Sequence, residues 1–129
     1  MTTLNWLRER PLLYLWLPLA AWMGLIFYLS AQPDLPQTDT HWVDLLLSAT
    51  AHAFLFGVLA VLWARALGRH RHGLLLAFAL TMIYALFDEF HQAFVPGRHA
   101  DPWDLLFDAL GAALALGLWV WWQRRRSEA

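Results

Sequence analysis

The chain has 129 residues, of which 60% are hydrophobic and 15% charged, with a formal net charge of −1. A soluble domain carries roughly 25% charged residues; here the apolar residues gather in long runs, which excludes a water-soluble globular domain in favour of an integral membrane protein. There is no cysteine, so disulfides and thiolate metal sites are excluded, and all nine basic residues are arginines, eight of them in three short clusters beside apolar runs, which speaks for membrane topology and against nucleic-acid binding.

Arg8 and Arg10 precede a first apolar run, residues 11–30. At about 19 residues its apolar part exceeds the ~7–15 of a signal-peptide core, so it reads as a first transmembrane helix, kinked at Pro18. Trp16 and Trp22 are expected to face lipid or pack. Residues 30–41, SAQPDLPQTDTH, form a loop in which two prolines and several polar residues stop the helix. A second helix is expected over 43–67, interrupted by His52, and ends at the basic joint GRHRHG. A third spans 73–95. The short joint 96–102 suits a tight hairpin, and a fourth helix over 103–122 ends before Arg124, Arg125 and Arg126.

Each run is long enough for a ~30 Å hydrocarbon core, and continuous rather than alternating apolar residues favour helices over a barrel. The expected fold is therefore all-α: one polytopic transmembrane four-helix bundle over 1–129. The arginines at the N-terminus, at 65–71 and at the C-terminus alternate as the positive-inside rule requires, which places both termini in the cytoplasm. Trp119, Trp121 and Trp122 then suit an inner interfacial belt, and Trp42 and Trp103 an outer one.

With that topology four segments send polar groups to the outer half. Gln32 ends helix 1. His52 lies ~14 Å below the outer end of helix 2 at ~1.5 Å per residue. Asp88, Glu89, His91 and Gln92 end helix 3, Arg98 and Asp101 sit in the hairpin, and Asp104 and Asp108 open helix 4. Ionisable groups within spans are expensive, about +2.5 to 3.5 kcal/mol each on insertion scales, and tend to be functional. Tyr84, Asp88, His91 and Gln92 share one helical stripe. Asp104, Asp108, Gly111, Ala112 and Ala115 form another, whose small residues allow close approach of a neighbour. The hairpin makes helix 3 the expected neighbour, so the two sets of carboxylates should face one another.

These residue types suit general acid and base chemistry, or oxygen and imidazole ligation of a divalent metal; Asp88-x-x-His91 has the spacing used in di-metal bundles, though a single such pair is a weak signal. Neither a metal nor any other cofactor is required by the sequence. The candidate catalytic or ligating core is His52, Asp88, Glu89, His91 and Asp104. Arg98 would orient an anionic group, with Gln92, Asp108, Tyr84 and Gln32 completing a substrate-binding set. The bland alternative is an ion-pair and hydrogen-bond network that holds the helix ends together. His41, His70, His72 and His99 read as solvated loop residues, and Asp101 as a cap before Pro102. Proton or ion translocation is disfavoured, because no matching polar chain runs through the inner half.

Ser30-Ala31-Gln32-Pro33, the lone His52, and Tyr84…Asp88-Glu89-Phe90-His91-Gln92…Val95-Pro96-Gly97-Arg98, followed by Asp104, Asp108 and Gly111, resemble the VanZ-like family of small bacterial membrane proteins. The resemblance covers nearly the whole chain. Two positions depart from it. The family often has a lysine shortly before the helix-2 histidine, where this chain has Ser48-Ala49-Thr50-Ala51, and usually asparagine where this chain has Asp108. The resemblance implies a four-helix protein of the bacterial inner membrane. Its founding member is linked to reduced susceptibility to the glycopeptide teicoplanin, which makes the cell envelope the expected setting and a lipid-linked or cell-wall molecule the expected ligand. The competing expectation is a non-enzymatic membrane scaffold, whose polar cluster is structural or receives a protein partner.

Overall fold

The computed structural model describes residues 11–33, 38–68 and 70–129, so Arg8, Arg10, Asp34 and Arg69 lie outside the described residues. Four helices follow in order: α1 (Pro11–Ser30), α2 (His41–Leu67), α3 (Gly73–Gln92) and α4 (Pro102–Glu128). All four are long and apolar enough to cross a membrane. Many large side chains stay exposed along them, among them Leu12, Leu75, Ile83, Phe90, Leu114 and Leu118. In water such a surface would drive aggregation; in lipid it is the ordinary exterior.

The boundaries have local causes. α2 begins at His41, two residues before the expected start, so His41 and Trp42 are helical and exposed. Asp44 in its first turn reaches back to accept from the Thr38 N–H at 2.7 Å, fixing the entry of the chain. α3 ends at Gln92 rather than continuing to Val95. Phe94 and Val95 bond three residues back, to His91 and Gln92, because Pro96 disfavours helical geometry in the residue before it. α4 continues past Trp122 to Glu128, since glutamine and arginine are good helix formers and nothing in that run breaks the helix. Asp101 caps α4 as expected: its carboxylate accepts from the Trp103 N–H at 3.0 Å, with Pro102 at the first helical position. α1 runs unbroken through Pro18.

α2 is the centre of the bundle. It packs on α1, α3 and, most extensively, α4, whereas α1 touches only α2 and α3. The small-residue stripe of α4 therefore faces mainly α2, with Ala112 also in one cluster with Ala77 of α3. Gly57 of α2 and Gly111 of α4 meet at the crossing, where a Cβ on Gly57 would lie 3.0 Å from the Gly111 carbonyl oxygen. Ala60, Ala64, Ala77, Ala112 and Leu116 continue this contact below it. Leu19, Ile26, Phe56, Leu59 and Ala85 form a second core between α1, α2 and α3. Two side chains tie the middle of α1 to α2 and α3: Trp22 Nε1 donates to the Leu55 carbonyl at 2.9 Å, and the Tyr84 hydroxyl donates to the Met23 carbonyl at 2.6 Å.

Candidate functional site

The α2–α4 crossing decides where the aspartates point. Asp104 and Asp108 are one turn apart at the start of α4, and the small residues that follow let them reach α2. His52 Nδ1 lies 2.8 Å from Asp108 Oδ1, a hydrogen bond, and Nε2 lies 3.6 Å from Asp104 Oδ2, an ion-pair separation. The histidine is thus held between two carboxylates. The Asp108 side chain is 1% exposed, against 12% for His52 and 16% for Asp104. The second Asp108 oxygen, Oδ2, is buried with no hydrogen-bond partner. The aspartates of α4 pair with His52, because the Gly57–Gly111 contact brings α4 against α2, and they also stand near enough to Asp88 and Glu89 of α3 for the charges to interact, as expected of the two carboxylate sets.

At the end of α3 the polar groups divide. Asp88 and Gln92 are buried one turn apart, and Gln92 Nε2 donates to Asp88 Oδ2 at 3.3 Å. Glu89 is turned toward the hairpin, where its Oε2 accepts from the Asp101 N–H at 2.9 Å and its Oε1 has no partner. His91 stacks on Phe27 of α1, with ring centroids 4.5 Å apart, and its Nδ1 is buried without a partner. The direct partners of Glu89 and His91 are thus the Asp101 backbone and the Phe27 ring, while the Glu89 carboxylate still lies within electrostatic reach of His52. Glu89 is turned about 100° from Asp88 and His91 about 60° the other way, at the margin of the Asp88 stripe, as the ~100° step per helical residue dictates.

Arg98 reaches across to the end of α1. Its Nε donates to the Gln32 carbonyl at 3.0 Å and its terminal nitrogen to the Leu29 carbonyl at 3.1 Å, satisfying carbonyls left over where α1 ends. The Gln32 side chain bonds to its own helix at Tyr28. The turn that aims Arg98 has Pro96 followed by Gly97 at φ 79° and is closed by the Arg98 N–H to Val95 carbonyl bond, the pattern a type II turn demands. A Cβ on Gly97 would also lie 3.0 Å from the Pro33 carbonyl oxygen. Gly97→Ala is therefore expected to lose about 1–2 kcal/mol from left-handed strain alone, read as a lowered thermal midpoint in detergent; an unchanged midpoint would show that the turn relaxes freely.

A cavity of about 680 Å³ lies between α1, α2 and α3. Its polar lining includes His52, Asp88, Gln92 and Arg98, and its apolar lining includes Ile26, Leu29, Leu47, Leu55 and Phe56. Gln32 lines it as well; Glu89, His91, Tyr84, Asp104 and Asp108 do not. Three polar lining residues were not among the expected site residues: Ser30, Asp44 and Ser48. The Ser30 Oγ is buried with no partner. Asp44 and Ser48 were legible in principle, because they stand eight and four residues before His52 and share its helix face. Among the described residues, no group of three or more His, Asp or Glu side chains is arranged to hold a metal ion.

A sequence model of the VanZ/LLP1 family matches residues 15–123. The chain belongs to the VanZ/LLP1 family. The match takes in all four helices apart from the first turn of α1 and the last of α4, and with them every site residue named above. Family membership and four membrane-crossing helices together make this a multi-pass membrane protein. No curated protein and no solved structure matches the chain.

Proposed function

We propose that this VanZ/LLP1 protein takes the polar head of a lipid-linked cell-envelope molecule into the cavity between α1, α2 and α3, with both termini in the cytoplasm and the cavity toward the outer face of the bacterial inner membrane. The supporting observation is the cavity's lining, mostly apolar side chains with His52, Asp88 and Gln92 among them. Sites for small amphiphiles are built this way, mostly apolar with a few convergent polar groups. His52 is the proton-handling group. Asp108 fixes its ring orientation from behind, as a carboxylate does for a general-base imidazole, and Asp104 accompanies the other nitrogen. Asp88, steadied by Gln92, faces the same space. Both hydrogen-bonded partners are buried, so their positions are set before anything binds.

A structural share of the cluster is favoured by specific bonds. Arg98 is engaged with two α1 carbonyls, Tyr84 with Met23, and Glu89 with the backbone of Asp101. These three hold the helix ends, and the binding and chemistry fall to His52, Asp88, Gln92 and the α4 aspartates. In cells the reading extends to altered glycopeptide susceptibility through occupancy of an envelope precursor.

The test is Asp88→Asn with Gln92→Ala beside it, in membranes carrying a photoactivatable polyprenyl-phosphate probe. Labelling is expected to fall at least tenfold at unchanged membrane accumulation. Unchanged labelling would overturn the cavity as the site, and loss of accumulated protein in both variants would assign Asp88 and Gln92 to the structural network.

A further inference from the structure

The opposite end of the bundle holds a second cavity, of about 630 Å³, where α2 passes into α3. Its lining contains Arg65, His70, Arg71 and His72 and no carboxylate. The other polar group is Gln123 of α4, and Leu15, Leu74, Leu75 and Trp119 supply apolar wall. Charge is sharply separated along the protein. Among the described residues every acidic side chain lies at or near the other end except Glu128, which is exposed near the end of α4 and does not line this cavity. Arg65 is held in place from outside: its guanidinium lies 5.2 Å from the centre of the Tyr14 ring on α1, a contact that leaves its N–H edges available.

Arginines anywhere near a membrane surface set topology, but that role needs no shared concave surface. Arg124, Arg125 and Arg126 show the contrast. They are exposed on one helix, Arg125 and Arg126 lie over Trp121 and Trp122, and none of them lines the cavity. Arg65, half-buried in the last turn of α2, and Arg71, exposed in the α2–α3 joint, instead line one concave, open space. The first turn of α3, Gly73 to Leu75, borders the same space, and no side chain caps it. Guanidinium groups and a helix start present N–H donors and positive potential together, the combination that suits phosphate oxygens.

We propose that the Arg65–Arg71 cavity binds a phosphate group, which in the membrane is the headgroup of an acidic phospholipid whose chains lie against Leu15, Leu74 and Leu75. Pairs of arginines in a pocket between helices at the headgroup level recognise lipid phosphates by charge and by bidentate hydrogen bonding. The site is independent of the His52 cavity and of which way the protein is oriented.

The experiment follows retention of phosphatidylglycerol against phosphatidylcholine by native mass spectrometry of the purified full-length protein, with a parallel thermal-shift series in inorganic phosphate. Phosphatidylglycerol is expected to be retained preferentially, and Arg65→Gln with Arg71→Gln to lower that retention about tenfold. Arg125→Gln with Arg126→Gln removes the same charge from the same end and is expected to change retention less than twofold. Gln123→Glu adds negative charge to the cavity with both arginines intact and should also lose the lipid, which keeps the test decisive if the double arginine variant does not fold. Stabilisation by inorganic phosphate without lipid preference would identify the free ion as the source of the phosphate. Equal loss in the two double variants, or no response to either phosphatidylglycerol or phosphate, would overturn the site.

Discussion

His52→Ala is expected to be among the most destabilising single changes in the protein. The ring stands between Asp108 at 2.8 Å and Asp104 at 3.6 Å, and Asp108 is almost wholly buried. Removing one partner of a buried pair leaves the other without compensation and typically costs about 3–5 kcal/mol. Here the consequence is compounded, because Asp108 Oδ2 already has no partner. Truncating His52 would leave both oxygens of that carboxylate unsatisfied within the hydrophobic depth of the bundle. Asp108→Asn should behave in the opposite way. The amide keeps an acceptor for His52 Nδ1 and removes a buried charge, so the variant is expected to stay within about 1 kcal/mol of the parent. In the background of Asp108→Asn, His52→Ala should become markedly milder. Unfolding midpoints of the four proteins in a detergent titration form a double-mutant cycle. Independent, additive effects would remove the His52–Asp108 pair from the account of stability.

The bundle was legible because membrane helices announce themselves by length and uninterrupted apolarity, and because arginines and prolines mark the joints. The capping of α4 by Asp101 was legible for a local reason: an aspartate immediately before a proline has the chemistry of a helix start. What the sequence did not give away is which helices touch. The sequential hairpin suggested α3 against α4, whereas the Gly57–Gly111 contact makes α2 the main neighbour of α4. Connection length favours sequential neighbours, but interhelical contact in lipid goes where backbones come closest. That neighbour gives Asp104 and Asp108 their direct contact with His52, in addition to the nearby acids of α3. The same limit explains His91 and Glu89. Helical spacing places them beside Asp88, yet only the tertiary arrangement sends one to Phe27 and the other to the Asp101 backbone. Arg98 lines the cavity, and two of its nitrogens also satisfy carbonyls at the end of α1, a need invisible until the hairpin is seen folded over that end.

Gly111→Ala tests that account of the helix crossing, and its expected effect is also large. A Cβ at this position would fall onto the backbone of Ala53, overlapping its carbonyl oxygen, Cα and carbonyl carbon. A flexible side chain could move aside; a helical backbone cannot, so α2 and α4 must separate. Overpacking of this kind costs about 1–3 kcal/mol, occasionally more. The intrinsic preference of helices for alanine over glycine, about 1 kcal/mol, works in the other direction and is outweighed. Gly117, on the same helix, supplies the control: nothing lies within 4 Å of its added Cβ, so Gly117→Ala should be neutral or mildly stabilising. The separation should also reach the site. Ala53 adjoins His52 and Gly111 stands one turn from Asp108, so widening this crossing lengthens the His52 Nδ1 to Asp108 bond. Nitrogen-15 spectra of histidine-labelled protein would register the altered ring environment of His52 in Gly111→Ala but not in Gly117→Ala. Equal stability and equal spectra for the two variants would mean that α2 and α4 do not cross at Gly111, and the pairing of His52 with the α4 aspartates would lose its structural basis.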